Sequence, residues 1–447
     1  MPTLLCYSRS SKLLLQFLVW LFVAFALSSP TQAADDALAT GFATPPPAAW
    51  PRTWWHWTKG NVTKEGITKD LEWMQRAGIA GFQLADVNFG GGQSVDTPLE
   101  FGSEAWRDAV GHAAREAQRL GLEMAVFSSP GWSMTGGPWV RPEQAMKRLT
   151  WSETQVDGSQ TAPLTLPMPP TCEGAFQDLR AGNPPREGTY QDVRVIAFPT
   201  PTAEHETHIP SDVASSGPSI EGALLHDGRY NTSVSVKPDD EGGVAWIEQR
   251  FDAPTTMRAV TLAGDAGIPV GRLLASDDGV AYRTFATLPG SQLYRQARVR
   301  TFAFPATTAR IFRLELTGSP IRPAETMSEA PPERAASYSL AEWRMHAGAR
   351  LHRWEEKAGF GHLFEYRSVE AKEVDVDSVV DPARLIDVSR HLQSNGELAW
   401  QPPDGKWTVL RMGWALTGAR NRPATPSGSG VEVDKLSQRH VNDYYDA

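Results

Sequence analysis

Cysteine is nearly absent: 447 residues hold two, Cys6 and Cys172. With Cys6 in an amino-terminal leader, the mature chain keeps Cys172 alone, which excludes an intrachain disulfide and a cysteine zinc site. Basic runs are also missing. Lys and Arg number 43 against 52 Asp and Glu, a net charge of −9, and no nucleic-acid partner is expected without a basic face for its phosphates. After the leader no apolar run is long enough to cross a bilayer, so no membrane span is expected in the mature chain. Tyrosine is scarce beside tryptophan, nine against sixteen. The broad indole face suits sugar C–H surfaces as well as protein cores.

The leader itself is legible. Arg9 and Lys12 precede the apolar "LLLQFLVWLFVAFAL", and "SSPTQAADD" places small residues around a cut after Ala33. Residues 1–33 therefore read as a signal peptide and the product as exported, periplasmic or secreted. Asp35 and Asp36 come next without a stop-transfer cluster. Residues 34–50, with "ATPPPAAW", read as a flexible entry.

Strand and helix patterns then alternate. "RTWWHW" has the aromatic density of a buried strand. Thr63 is placed to cap a helix with Ile67, Leu71, Met74 and Ala77 on one stripe and Gly78 after it. "AGFQLADV" reads as a strand ending near Asp86. Ser103 can cap a second helix with Trp106, Val110, Ala113, Ala117 and Leu120 inside and Gly121 beyond. "LEMAVFSSP" reads as a third strand and "RPEQAMKRLTW" as a third helix, with Pro142 in its first turn. This alternation predicts a parallel α/β sheet, either a (β/α)8 barrel or a doubly wound fold.

Residues 156–189 are rich in Pro, Gly and Thr and read as a linker or covering loop. Residues 190–350 are a series of short β-like runs, among them "AWIEQRFD", "RLLASDD" and "RIFRLELTG", which predict an antiparallel sandwich. Within it "LHDGRYNT" and "ASDDGVAYRTF" resemble discoidin-like, galactose-binding-like jelly-roll modules. The α/β part, begun over 51–155, is expected to resume over 351–447. That stretch has room for too few strand–helix units to close an eight-stranded barrel, so an incomplete barrel is expected.

Ligands of parallel α/β domains bind where the strands end and the βα loops gather. The candidates there are Trp55, His56 and Trp57, then Asp86 with Asn88, then Trp132 in "SSPGWSMTGGPWV". In that loop glycine would let the backbone approach a ligand while Trp132 covers it. "VEVDK" adds Glu432, Asp434 and Lys435. Glycosidic cleavage needs one carboxyl as proton donor and another as base or nucleophile. A lysine beside two carboxylates can separate their roles.

The stretches "WPRTWWHWTKGNVTKEGITKDLEWMQRAGIAGFQLADV", "SSPGWSMTGGPWVRPEQAMKRLTW" and "GSGVEVDKLS" together resemble glycoside hydrolase family 106, the α-L-rhamnosidases. The resemblance implies a (β/α)8 barrel with inserted sandwich modules, an inverting mechanism and a calcium ion at the sugar site. It implies Glu432 as general acid, supported by Asp434 and Lys435. Trp55, His56, Trp57, Asp86 and Trp132 would line a pocket for rhamnose from an oligosaccharide or polysaccharide, with no organic or nucleotide cofactor. Members of that family are much longer, so the chain is expected to be an amino-terminal portion whose catalytic base lies beyond position 447. The alternative is a non-catalytic carbohydrate-binding or adhesive protein working through the sandwich.

Overall fold

Seven residues, Arg52–Thr58, form β1, and four of them are tryptophan or histidine. In the computed structural model, which describes residues 37–159, 163–170, 190–230, 232–239, 243–264, 267–290, 298–320, 333–360, 369–370 and 373–447, the chain divides into two compact units. The first is Met1–Met134 with Arg422–Gly428, and the second is Thr135–Asn421 with Ser429–Ala447. The leader and both cysteines lie outside the described residues.

The first unit keeps to the predicted alternation. After β1 come α1 (Lys64–Arg76), β2 (Gly81–Val87), α2 (Glu104–Leu120) and β3 (Glu123–Val126). The strands pair in parallel in the order β1-β2-β3, from Arg52 opposite Gly81 to Thr58 opposite Val87. Thr63 Oγ1 accepts from Gly66 N at 3.0 Å and Ser103 Oγ from Trp106 N at 3.2 Å, satisfying amides that a first helical turn leaves open. Gly121 ends α2 at φ 69°, a left-handed position that glycine takes without strain. One face of the sheet packs on the helices: Trp55, Trp57, Phe82 and Leu84 meet Ile67, Leu71 and Met74 of α1 and Ala109, Ala113 and Ala117 of α2.

The second unit is antiparallel throughout its described strands. Among the described residues its strands of four residues or more are β4 (Lys147–Asp157), β5 (Gln191–Pro199), β6 (Asp212–Ser215), β7 (Ala245–Ala263), β8 (Val270–Ser276), β9 (Arg283–Leu288), β10 (Val299–Gly318), β11 (Glu342–His346) and β12 (Lys406–Leu416). One sheet runs β9-β8-β10-β7-β11, with β6 also on β7. Its core is built from Ile247, Phe251, Leu262, Leu273, Phe312, Leu314 and Trp343. A second sheet runs from Ile386–Asp387 through β5 and β12 to β4, and two two-stranded sheets pair Val234–Val236 with Tyr338–Leu340 and Leu164–Thr165 with Glu397–Leu398. Two short helices complete the unit, α3 (Trp354–Lys357) and α4 (Gln438–Asp446).

One predicted element is corrected. "RPEQAMKRLTW" is not a helix: Pro142–Gln144 make one 3-10 turn, and Lys147 opens β4. All eleven residues of β4 pair with β12, from Lys147 opposite Leu416 to Asp157 opposite Lys406. Proline at a first turn marks where an element starts without fixing its type, and eleven cross-strand pairs outweigh local helix preference. Residues 147–155 and 406–416, expected in the α/β part, therefore belong to an antiparallel sheet. Among the described residues, parallel pairing is confined to β1, β2 and β3.

A buried charge network joins α3 to β10. Arg353 stands at φ 52° and its guanidinium reaches Glu356 at 2.7 Å, while Arg300 Nε lies 2.7 Å from the same carboxylate. Glu355 accepts from Thr301 N at 3.0 Å and Thr301 Oγ1 at 2.6 Å. Burial pushes the Glu355 carboxyl up to about 7 against those donors.

Candidate active site

Successive side chains of a strand point to opposite faces. On β1 this puts Trp55 and Trp57 among the helices and Trp54 and His56 on the other face. Trp57 is fully buried and Trp55 nearly so, with Trp55 Nε1 donating to Asp70 at 3.1 Å. The expectation that Trp55 and Trp57 line a pocket is therefore corrected: both are core. Trp54, in contrast, is 57% exposed.

Around Trp54 and His56 the ends of the strands gather an open cluster of rings. Trp132 is 45% and Phe89 39% exposed. The Trp54 and Trp132 rings stack at 6.4 Å and 29°, and Phe127 meets Trp54 edge-on at 5.7 Å. His56 lies 5.3 Å from Phe89 and 5.8 Å from Trp132, and Phe89 lies 5.2 Å from Trp132. The Trp132 Nε1–H donates to His56 Nε2 at 3.0 Å. Burial lowers the His56 pKa below the ordinary imidazole value.

The loop carrying Trp132 is held by backbone. Gly131 N donates to Asp86 O at 2.7 Å, Trp132 N to Arg422 O at 2.7 Å, and Asn88 N to Pro423 O at 3.0 Å. Gly131 has φ 87°, and a Cβ there would stand 2.6 Å from Arg422 C and O. The close approach that glycine permits is thus to the Arg422–Pro423 backbone and not to a ligand, a correction to the sequence expectation.

Asp86 is corrected too. In register with Trp57, it faces the helices, where Trp106 Nε1 donates to Oδ2 at 3.1 Å. Burial pushes its pKa up to about 6, opposed by the Trp106 and Thr425 donors. Asp86 positions α2 and the Gly131 loop and does not line the ring cluster.

The second unit carries the other candidates. Glu432 N donates to Ala419 O at 2.8 Å, and Glu432 O accepts from Met146 N at 2.9 Å. Its side chain forms an ion pair with Lys435. Asp434 faces Lys147 at 3.6 Å instead. Val433 turns the other way, into a core with Val140 and Tyr444. It helps line a cavity of about 90 Å³ with Trp139, Gln144, His440 and Asp443, and Glu432 is not among the lining residues.

Among the described residues no three His, Cys, Asp or Glu side chains converge, whereas calcium takes six or more oxygens. Glu432 and Asp434 are each held by a lysine. Trp54 and Phe89 belong to this ring cluster, and neither is among the residues expected to line a pocket. Period-two alternation on "WWHW" would have found Trp54, since whichever face takes Trp55 and Trp57 leaves Trp54 with His56.

Comparison with known proteins places this geometry in a family. The solved "Structure of Rhamnosidase from Novosphingobium sp. PP1Y" superposes with a TM-score of 0.69 at 34% identity, over 92% of this chain and 37% of that one. A curated protein of Formosa agariphila named "Putative beta-glucuronidase" is 26% identical over 409 residues, 92% of this chain and 21% of that protein. The chain thus spans about a fifth to somewhat over a third of the length of these relatives. Residues 43–447 match the family described as alpha-L-rhamnosidase, and the chain belongs to that family, glycoside hydrolase family 106.

Proposed function

We propose that the chain is part of an exported glycosidase that releases terminal α-L-rhamnose from plant or bacterial glycans by an inverting, two-carboxylate reaction. The observation that carries this reading is the open cluster of Trp54, His56, Phe89 and Trp132 at the ends of parallel strands, in a chain of this family. Indole faces bind the apolar faces of a sugar ring, and His56 adds a polar group beside them. We read β1, β2 and β3 as strands of a (β/α)8 barrel, because sugar sites lie at the carboxyl ends of such strands.

Glu432 is the proposed proton donor to the departing glycosidic oxygen. Its backbone is fixed on both sides, by Ala419 and Met146. Lys435 pairs with one carboxylate oxygen; donation uses a proton carried on the other, which leaves Glu432 as the carboxylate after the glycosidic bond breaks. Inversion needs a second carboxyl roughly 6.5–9.5 Å away to activate water. Asp86 does not serve as that base, since it is buried against Trp106.

Aryl α-L-rhamnoside and aryl β-D-glucuronide hydrolysis by the full-length protein, measured side by side, test the reading. Rhamnoside turnover is expected, with Glu432→Gln lowering kcat by about 10²–10⁴-fold at little cost to KM. An unaltered rate in that variant would discard the Glu432 assignment, and preference for the glucuronide would discard the sugar.

A further inference from the structure

We propose that His56 is a positioning residue whose unprotonated Nε2 holds the Trp132 indole N–H and so fixes the ring that covers the sugar; protonation of His56 releases that ring. The inference takes its ligand from the rhamnoside reading, while the lock itself stands on the geometry of the first unit.

An indole nitrogen can only donate. The 3.0 Å contact from Trp132 Nε1 to His56 Nε2 therefore requires a lone pair on Nε2 and puts the imidazole proton on Nδ1. On the imidazolium both nitrogens carry hydrogen, and the same contact would set two N–H groups against each other. The Trp132 backbone would not move, because Trp132 N and Gly131 N are held by Arg422 O and Asp86 O. Only the side chain is free to swing, and it is already 45% exposed. In the locked state Nδ1–H is the donor left for an oxygen of the ligand.

Neighbouring charges leave the switch to His56. On the β1 side Lys59 is tied to Gly90 O at 2.8 Å and Gly91 O at 3.1 Å. On β2 Asp86 points to the opposite face, onto Trp106. Residues 127–137 contain no charged side chain. From the 422–428 segment, Arg422 contributes its carbonyl to Trp132 N. Burial favours the neutral ring, so the lock is closed at neutral pH and opens on acidification below the His56 pKa.

Fluorine NMR of the fluorotryptophan-labelled full-length protein tests this, with the Trp132 resonance identified by its loss in Trp132→Phe. Across an acid titration that resonance should move in one step, with its midpoint below the ordinary histidine value. In His56→Gln, whose amide oxygen accepts the same N–H at every pH, it should stay at its neutral-pH position. A wild-type resonance that does not move, or one that moves alike in His56→Gln, would overturn the lock. L-rhamnose titration adds the second arm: affinity should weaken roughly five-fold across the same step, about the worth of one hydrogen bond, and not in His56→Gln. Affinity constant across the step would overturn the positioning role. A step in the resonance with no response to L-rhamnose would keep the lock and reject the rhamnoside reading.

Discussion

Trp57 is fully buried and Trp132 is 45% exposed, and the two should fail differently. Trp57→Ala empties a packed site between sheet and helices and should cost about 3–5 kcal/mol, read from denaturant midpoints. Trp132→Ala removes a ring from an open cluster; stability should change little, while L-rhamnose affinity drops about two- to ten-fold. Titration of buried acids is a second residue-scale effect. Glu355 and Glu342 are both pushed up to about 7, and Asp86 to about 6, by burial. Each binds its proton more tightly folded than unfolded, so its contribution is fully present below the unfolded value and is lost as pH rises through the folded one. Denaturant resistance should therefore fall between about pH 4 and about pH 7, and Glu355→Gln should reduce that fall. None of this is legible in the sequence. Nothing local to "HRWEEK" marks its acids as buried, and only the register of Thr301 against α3 makes it a buried network.

At the scale of elements the first unit is legible almost throughout. Its caps are local chemistry: Thr63, Ser103 and Gly121 sit where a hydroxyl or a left-handed residue completes a helix end. Ser103→Ala should accordingly cost about 1 kcal/mol, measured by thermal or denaturant unfolding. The misread element, β4, depends on a partner far away in the chain, with Lys147 opposite Leu416 at one end. No short window of sequence contains that partner. The candidate site divides the same way. His56 and Trp132, named from strand-end position, do share the exposed ring cluster, whereas Trp55, Trp57 and Asp86 fall on the other face because the direction of alternation is set by the helices that cover it.

Across the whole molecule, the first unit is built from two stretches of chain separated by the second. The returning segment, Arg422–Gly428, accepts the amides of Trp132 and Asn88 and lies against Gly131. Gly131→Val would force a Cβ to within 2.6 Å of the Arg422 carbonyl group at φ 87°. That substitution should destabilise the first unit by about 1–3 kcal/mol and shift Trp132 fluorescence, with α2 still formed. The same returning segment sets an order of manufacture. A ribosome delivers residues 37–134 early, yet their last backbone partners emerge only at 422–428, after nearly all of the second unit. The ring-bearing unit thus stays unfinished until residues 422–428 have been made.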